Sequence, residues 1–210
     1  MVVPSAAPPQ PDEVARLLAG RRSIADVGCG TGRYAGALAD AGFAVIGIDT
    51  SAAMIEVARA RAPDVAFAVA DLFSWRPLSP VDGVLCRGVL NDITEDEDRQ
   101  RALDSLCLML RPGGLLVFSV REVEKTRARY AREPVVTRSA DGVFFRSEGR
   151  FLGETVVVDE TISSQDARAD HRFEMRPWSL SEVDDRAAAA GFTRVERRLA
   201  GDRIVAACVR

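Results

Sequence analysis

Asp26-Val27-Gly28-Cys29-Gly30-Thr31-Gly32, directly behind the apolar run at 24–27, decides the fold. Glycines at alternate positions after a short strand let a ligand approach backbone that any Cβ would obstruct, and the next helix offers that ligand its N-terminus. Such a turn fits the carboxyl end of a first strand in an α/β sheet, where ligands bind.

Working outward, short apolar runs at 24–27, 44–48, 65–70, 83–86 and 115–120 read as parallel strands buried on both faces. Helical stretches at 12–19, 34–41, 52–62 and 95–110 lie around and between them, and Arg111-Pro112-Gly113-Gly114 stops the last one. This alternation predicts a doubly wound sheet. From Glu122 the pattern changes to a charged segment and three alternating runs, 143–151, 154–163 and 171–178, which read as antiparallel strands. A helix at 179–190 and two closing strands, 192–199 and 203–209, follow, with Gly201-Asp202 as the turn between the strands. Residues 1–210 thus read as a single domain, with a flexible Pro-rich N-terminus at 1–11 and an inserted cap at 122–178.

A chain of 210 residues, 47% hydrophobic, suits one core, and a net charge of -3 gives no basic footprint for nucleic acid. A small-molecule partner is favoured. Cys29, Cys86, Cys107 and Cys208 are far apart and form no metal-ligand set with the single His171, so reduced thiols and no metal are expected. No apolar run approaches the roughly 20 residues of a membrane span, and the start lacks a leader pattern, so a cytoplasmic address without a membrane partner is expected.

The turn is spaced GxGxG, and Arg33 stands where a dinucleotide fingerprint needs its last small residue. Asp49, ending the second strand, suits both ribose hydroxyls of an adenosine and would serve NAD equally. Asp71, ending the third strand, can accept from an exocyclic adenine amine.

In this order and spacing, 26–32, Asp49 and Asp71 resemble the cofactor motifs of class I S-adenosylmethionine-dependent methyltransferases. Arg111-Pro112-Gly113-Gly114-Leu115 and Ala190-Gly191-Phe192 extend the likeness along the chain. The resemblance implies a Rossmann-like α/β fold: a seven-stranded, mostly parallel sheet of order 3-2-1-4-5-7-6 flanked by helices, with a small antiparallel β cap after the fifth strand. It implies S-adenosylmethionine as cofactor and S-adenosylhomocysteine as its product. It assigns Gly28, Cys29, Gly30 and Gly32 to the methionine moiety, Asp26 to its amino group and Asp49 to the ribose. Asp71 and Leu72 fall to the adenine, with Met54, Thr50 and Arg87 also beside the cofactor. Each aspartate has a plainer reading as a helix cap or turn residue, and Met54 and Cys29 as packing.

By the same resemblance, the loop Cys86-Arg87-Gly88-Val89-Leu90-Asn91-Asp92 lies beside the transferable methyl group. The chain lacks the Asn/Asp-Pro-Pro-aromatic motif of amino-methylating enzymes and the Pro-Cys nucleophile of cytosine-C5 enzymes, and is closer to small-molecule methyltransferases. Acceptor contacts are expected from Asn91, Arg146 and Arg150, with Phe145, Phe151 and Arg176 on the same cap. His171 and Asp92 are the candidate catalytic proton acceptors. Their plainer readings are pairing with Glu174 or exposure for His171, and helix capping for Asp92. The expected reaction is methyl transfer to an oxygen or nitrogen of a small molecule. Alternatives are methylation of protein or nucleic acid, a noncatalytic cofactor-binding protein and a nicotinamide-dependent oxidoreductase. A homodimer pairing two caps is compatible with this layout.

Overall fold

The computed structural model describes residues 10–210. The expected flexible start therefore lies, up to residue 9, outside the described residues, and its last position, Pro11, already opens α1 (Pro11–Leu17). The chain continues with β1 (Ser23–Val27), α2 (Arg33–Asp40), β2 (Ala44–Asp49), α3 (Ala52–Arg61), β3 (Ala66–Val69) and β4 (Val81–Arg87). Next come α4 (Asp96–Met109), β5 (Leu110–Arg121) and α5 (Val123–Arg132), followed by β6 (Val135–Ala140), β7 (Val143–Leu152), β8 (Thr155–Ser163) and β9 (Arg168–Met175). The chain closes with α6 (Leu180–Ala189), β10 (Arg194–Ala200) and β11 (Arg203–Val209).

Seven strands form one sheet in the order β10-β11-β5-β4-β1-β2-β3, which counted within the sheet is 3-2-1-4-5-7-6, as the resemblance implied. β11 runs antiparallel to both β5 and β10. The centre of the sheet is apolar on both sides because helices cover both faces. On one side Ala25, Val27, Val84, Cys86 and Phe118 pack with α4 and α6 through Leu103, Leu106 and Val183. On the other side Ile24, Leu85 and Val117 meet α1 and α2 through Val14, Leu18 and Leu38. Gly83 in β4 is a required gap, since a Cβ there would come within 2.7 Å of Ile24 Cδ1.

Between β5 and α6 the chain builds a four-stranded antiparallel sheet, β6-β7-β8-β9. The three runs read from the sequence correspond to β7, β8 and β9, whereas α5 and β6 are additions. α5 buries only Thr126 and β6 is an exposed edge strand, so neither leaves a clear hydrophobic period. Glu122 caps α5 by accepting the Lys125 N–H at 2.6 Å. α5 lies against β7 with Tyr130 over Gly149, where a Cβ would collide with the ring. The two ends of the insertion meet at one point: Trp178 is fully buried, its Nε1 donates to the Leu90 carbonyl at 3.1 Å, and Glu122 and Trp178 form a parallel bridge.

Candidate active site

The glycine turn hangs from the end of β2. The N–H groups of Gly28 and Cys29 both donate to the Ile48 carbonyl, at 2.8 and 2.9 Å. The Gly30 N–H donates to Asp49 Oδ2 and the Ser51 N–H to Asp49 Oδ1, each at 2.9 Å. Two backbone donors thus clamp the Asp49 carboxylate while leaving lone pairs on both oxygens for further donors. Gly28, Gly30 and Gly32 have φ of 71, 52 and 72°, the left-handed region that glycine enters without strain. Gly28 is also a close approach, since a Cβ there would collide with the Val89 side chain.

Cys29 contributes backbone to the turn, while its side chain packs with Phe67 and Ala35. Burial pushes its thiol up to about 12, with the charges of Asp26 and Asp49 adding to the shift. Such a thiol is inert packing. Asp26 faces α2, the side opposite its neighbours Ala25 and Val27, and is only 3% exposed. Burial pushes its carboxyl up to about 7, against the lowering effects of Arg87 and the Ala35 N–H. Its Oδ2 is buried without a hydrogen-bond partner.

Above the turn, beyond the carboxyl ends of β1, β2 and β4, lies a cavity of about 400 Å³. Among the expected cofactor residues, Gly28, Asp49, Thr50, Asp71, Leu72 and Arg87 line it, together with Phe73, Val89 and Ile93. Asp71 Oδ1 accepts the Phe73 N–H at 2.7 Å, which fixes its carboxylate at the rim. The Arg87 guanidinium lies 3.9 Å over the Tyr34 ring, and its Nε is buried without a partner. Met54 stands exposed in the first turn of α3, and Asp26, Cys29, Gly30, Gly32 and Met54 do not form the cavity wall.

A second cavity, of about 350 Å³, shares Gly88 and Asp92 with the first. The ends of β4, β5 and β11 bound it on one side, α5 and the four-stranded sheet on the other. Asn91, 4% exposed, lines it and accepts the Arg121 N–H on Oδ1 at 2.8 Å, stapling the loop after β4 to the end of β5. Asp92 stands at the junction of the two cavities. Desolvation pushes its carboxyl up to about 6, against a lowering by Arg121.

Strand alternation corrects the expected cap contacts. Phe145 and Ser147 of β7 face the second cavity, so Arg146 and Arg150 point to the other side of the sheet. There Arg146 pairs with Glu148 at 2.6 Å and Arg150 with Asp159 at 2.9 Å. Arg176 is engaged by Asp96 and Glu154. His171 is exposed on β9, stacked on Phe173 with ring centroids 5.5 Å apart, and lines neither cavity. The cationic lining comes instead from Arg121, Arg129, Arg138 and Arg203, none of which stood out in the sequence.

Arg99 of α4, fully buried, holds the floor of this region together. It pairs with Glu182 through Nε and Nη2 at 2.9 and 3.0 Å, and donates to the carbonyls of Ile93, Arg176 and Pro177. Its guanidinium also lies 4.0 Å from the Trp178 ring centroid. One side chain thus ties the loop after β4 to the chain leaving β9 and to α6.

Residues 24–114 match the family model for a methyltransferase domain. A trans-aconitate 2-methyltransferase of Methylobacterium radiotolerans is 41% identical over 102 residues, 47% of this chain and 38% of that protein. The chain thus spans well under two thirds of that relative's length. A crystal structure of an S-adenosylmethionine-dependent methyltransferase from Clostridium acetobutylicum superposes with a TM-score of 0.81 at 16% identity, covering 94% of this chain and 87% of the other. A sugar N-methyltransferase from Streptoalloteichus gives 0.81 at 19% identity, covering 96% and 87%. The fold is the Rossmann-like architecture of class I methyltransferases.

Proposed function

We propose that this chain, whose residues 24–114 match a methyltransferase domain on a class I fold, methylates an oxygen or nitrogen of a small-molecule acceptor with S-adenosylmethionine as the donor. One observation carries this reading. A cavity lined by Gly28, Asp49 and Asp71 shares Gly88 and Asp92 with a second cavity under the four-stranded sheet. Two chambers meeting at the end of β4 suit a donor in one and an acceptor in the other.

The residues of the first chamber fit the cofactor. Next to the lining residue Val27, though not itself in the wall, Asp26 holds a buried carboxylate oxygen without a partner, which suits a cationic amino group. The clamped Asp49 carboxylate suits a ribose diol, and Asp71 with Leu72 an adenine edge and face. Arg33 starts α2 on the surface and donates to Gln10 at 2.9 Å, so the first turn of this helix carries a bulky cation where a dinucleotide fold wants a small residue.

When bound, the cofactor supplies an electrophilic methyl group on a sulfonium that is already a good leaving group. The chain then has to hold the acceptor in line and keep water out. Asn91 and Arg121, stapled to each other, give the second chamber a fixed floor, and α5 with the four-stranded sheet covers it as the substrate cap. Asp92, with its carboxyl near 6, is largely ionised at neutral pH and takes the proton of a hydroxyl or ammonium acceptor. His171 stands outside both chambers, which leaves Asp92 as the proton acceptor of this reading. We assign the chain to the cytoplasm on the same reading; no helix among the described residues is long and apolar enough to cross a membrane.

Thermal stabilisation separates this reading from its rivals, because a ligand of the folded state alone raises the melting temperature. S-adenosylhomocysteine should stabilise the chain and NADH should not; the reverse would replace methyl transfer with hydride transfer. Label transfer from methyl-labelled S-adenosylmethionine to a panel of small hydroxyl and amine acceptors tests turnover. Binding without turnover across the panel would leave a noncatalytic binding protein.

A further inference from the structure

The second cavity gathers four arginines, Arg121, Arg129, Arg138 and Arg203, against two carboxylates in its wall, Asp92 and Glu160. Arg203 in β11 is the direct cross-strand partner of Arg121 in β5, and like charges placed opposite each other destabilise a sheet. Arg129 of α5 faces the same spot. Asp202 Oδ2 accepts from Arg121, and from Arg129 at 3.2 Å, so one carboxylate is shared between two guanidiniums. The Arg203 side chain has no ion pair or hydrogen bond among the described residues, although it lines the cavity. Burial lowers its pKa, and the charges of Arg121, Arg87 and Arg129 lower it further, against a raising effect of Asp202.

This arrangement has the properties of an empty oxyanion receptor. Asp202 holds two guanidinium forks in place, and the third projects unpaired from the adjacent position in the chain. An incoming carboxylate or phosphate would relieve the repulsion and complete the hydrogen bonding, because guanidinium donors match both groups. The subsite lies in the chamber that reaches Asp92, so an anion anchored there directs the rest of the molecule toward the junction.

We infer that Arg121, Arg129 and Arg203 form an anion subsite that binds a carboxylate or phosphate group of the acceptor, with Asp202 as the positioning residue for two of the three. The acceptor is accordingly a small anionic molecule carrying its methylatable oxygen or nitrogen away from that group. This rests on the proposed function for the meaning of the second chamber, while the subsite can be tested without turnover.

The test compares malonate and inorganic phosphate with sodium chloride at matched ionic strength, by thermal shift, on the wild-type chain and on Arg203→Met and Arg129→Met. Malonate or phosphate should stabilise the wild type beyond the chloride control, and the more effective of the two names the acceptor's group. In each variant the apparent affinity for that anion should fall at least about tenfold. Stabilisation by S-adenosylhomocysteine should persist in both variants, which shows that they are folded with the donor chamber intact. No stabilisation beyond chloride, or an equal response in wild type and both variants, overturns the subsite. Failure of S-adenosylhomocysteine to stabilise the wild type would overturn the proposed function separately.

Discussion

Asp26 should make stability and, on the proposed function, cofactor binding depend on pH in opposite directions. Its carboxyl titrates near 3.8 in an unfolded chain and near 7 in the folded one, because burial strips the ionised form of water. Between these values the folded chain keeps a proton that the unfolded chain has released, so stability falls as pH rises through the window and levels off above it. At roughly 1.4 kcal/mol per pH unit, the whole window amounts to about 4 kcal/mol, and the part above about pH 5 to about 3 kcal/mol. That is a large share of the ~5–15 kcal/mol that holds a typical domain folded. Asp26→Asn retains an oxygen to accept from Ala35 and removes the titration. Urea unfolding at about pH 5 and about pH 8 should therefore show the wild type losing about 3 kcal/mol more than the variant between the two conditions. Asp92, also raised, shifts both proteins alike and cancels in the difference. S-adenosylhomocysteine, whose amino group is cationic, should bind the wild type more tightly as pH rises through 7 and bind the variant without that dependence. Parallel stability profiles for the two proteins would refute the assignment of this titration to Asp26.

Three further outcomes follow from named contacts. Gly28→Ala should abolish stabilisation by S-adenosylhomocysteine, because the new Cβ meets Val89, and Val89→Ala in the same chain should restore part of it in calorimetric titration. Asp92→Asn should reduce turnover of a hydroxyl or ammonium acceptor by roughly 10²- to 10⁴-fold with donor affinity unchanged, and wild-type turnover should decline as pH falls below about 6; an unaltered rate removes Asp92 from the chemistry. Arg99→Leu should cost about 3 to 5 kcal/mol in urea unfolding, since it strips donors from Glu182 and three carbonyls in a buried site.

The expected residues that line the first cavity, Gly28, Asp49, Thr50, Asp71, Leu72 and Arg87, are legible because each sits at or just beyond a strand end. The spacing from Gly28 to Asp49 to Asp71 is the length of one strand-helix repeat each time, so linear order and spatial order coincide. Met54 marks the limit of that logic, since a helix position beside the cleft depends on rotation about the helix axis, and this one is turned out to solvent. The second cavity is less legible. Its four arginines come from four separate elements, β5, α5, β6 and β11, and the antiparallel pairing of β11 with β5 that brings Arg203 to Arg121 has no local signature. On the cap the strand is visible in the sequence, and its period of two decides which residues reach the cavity. Phe145, Arg146 and Arg150 were expected at one pocket, whereas a period of two puts the phenylalanine on one face and both arginines on the other.

The two ends of residues 122–178 meet where the insertion leaves the sheet. The chain leaves the sheet at Glu122 and returns at Trp178, directly beside it, with the Val123 N–H on the Trp178 carbonyl at 2.9 Å and the Trp178 N–H on that of Arg121 at 2.8 Å. To β5 and α6, the intervening residues are a closed loop whose ends already touch, tied to the rest of the chain by further contacts from Arg129 to Asp202 and from Arg176 to Asp96 and Asn91. On the proposed function, rewriting this one contiguous stretch would change the side of the second cavity formed by α5 and the four-stranded sheet, while Asn91, Asp92, Arg121 and Arg203 and the turn at 26–32 stay as they are.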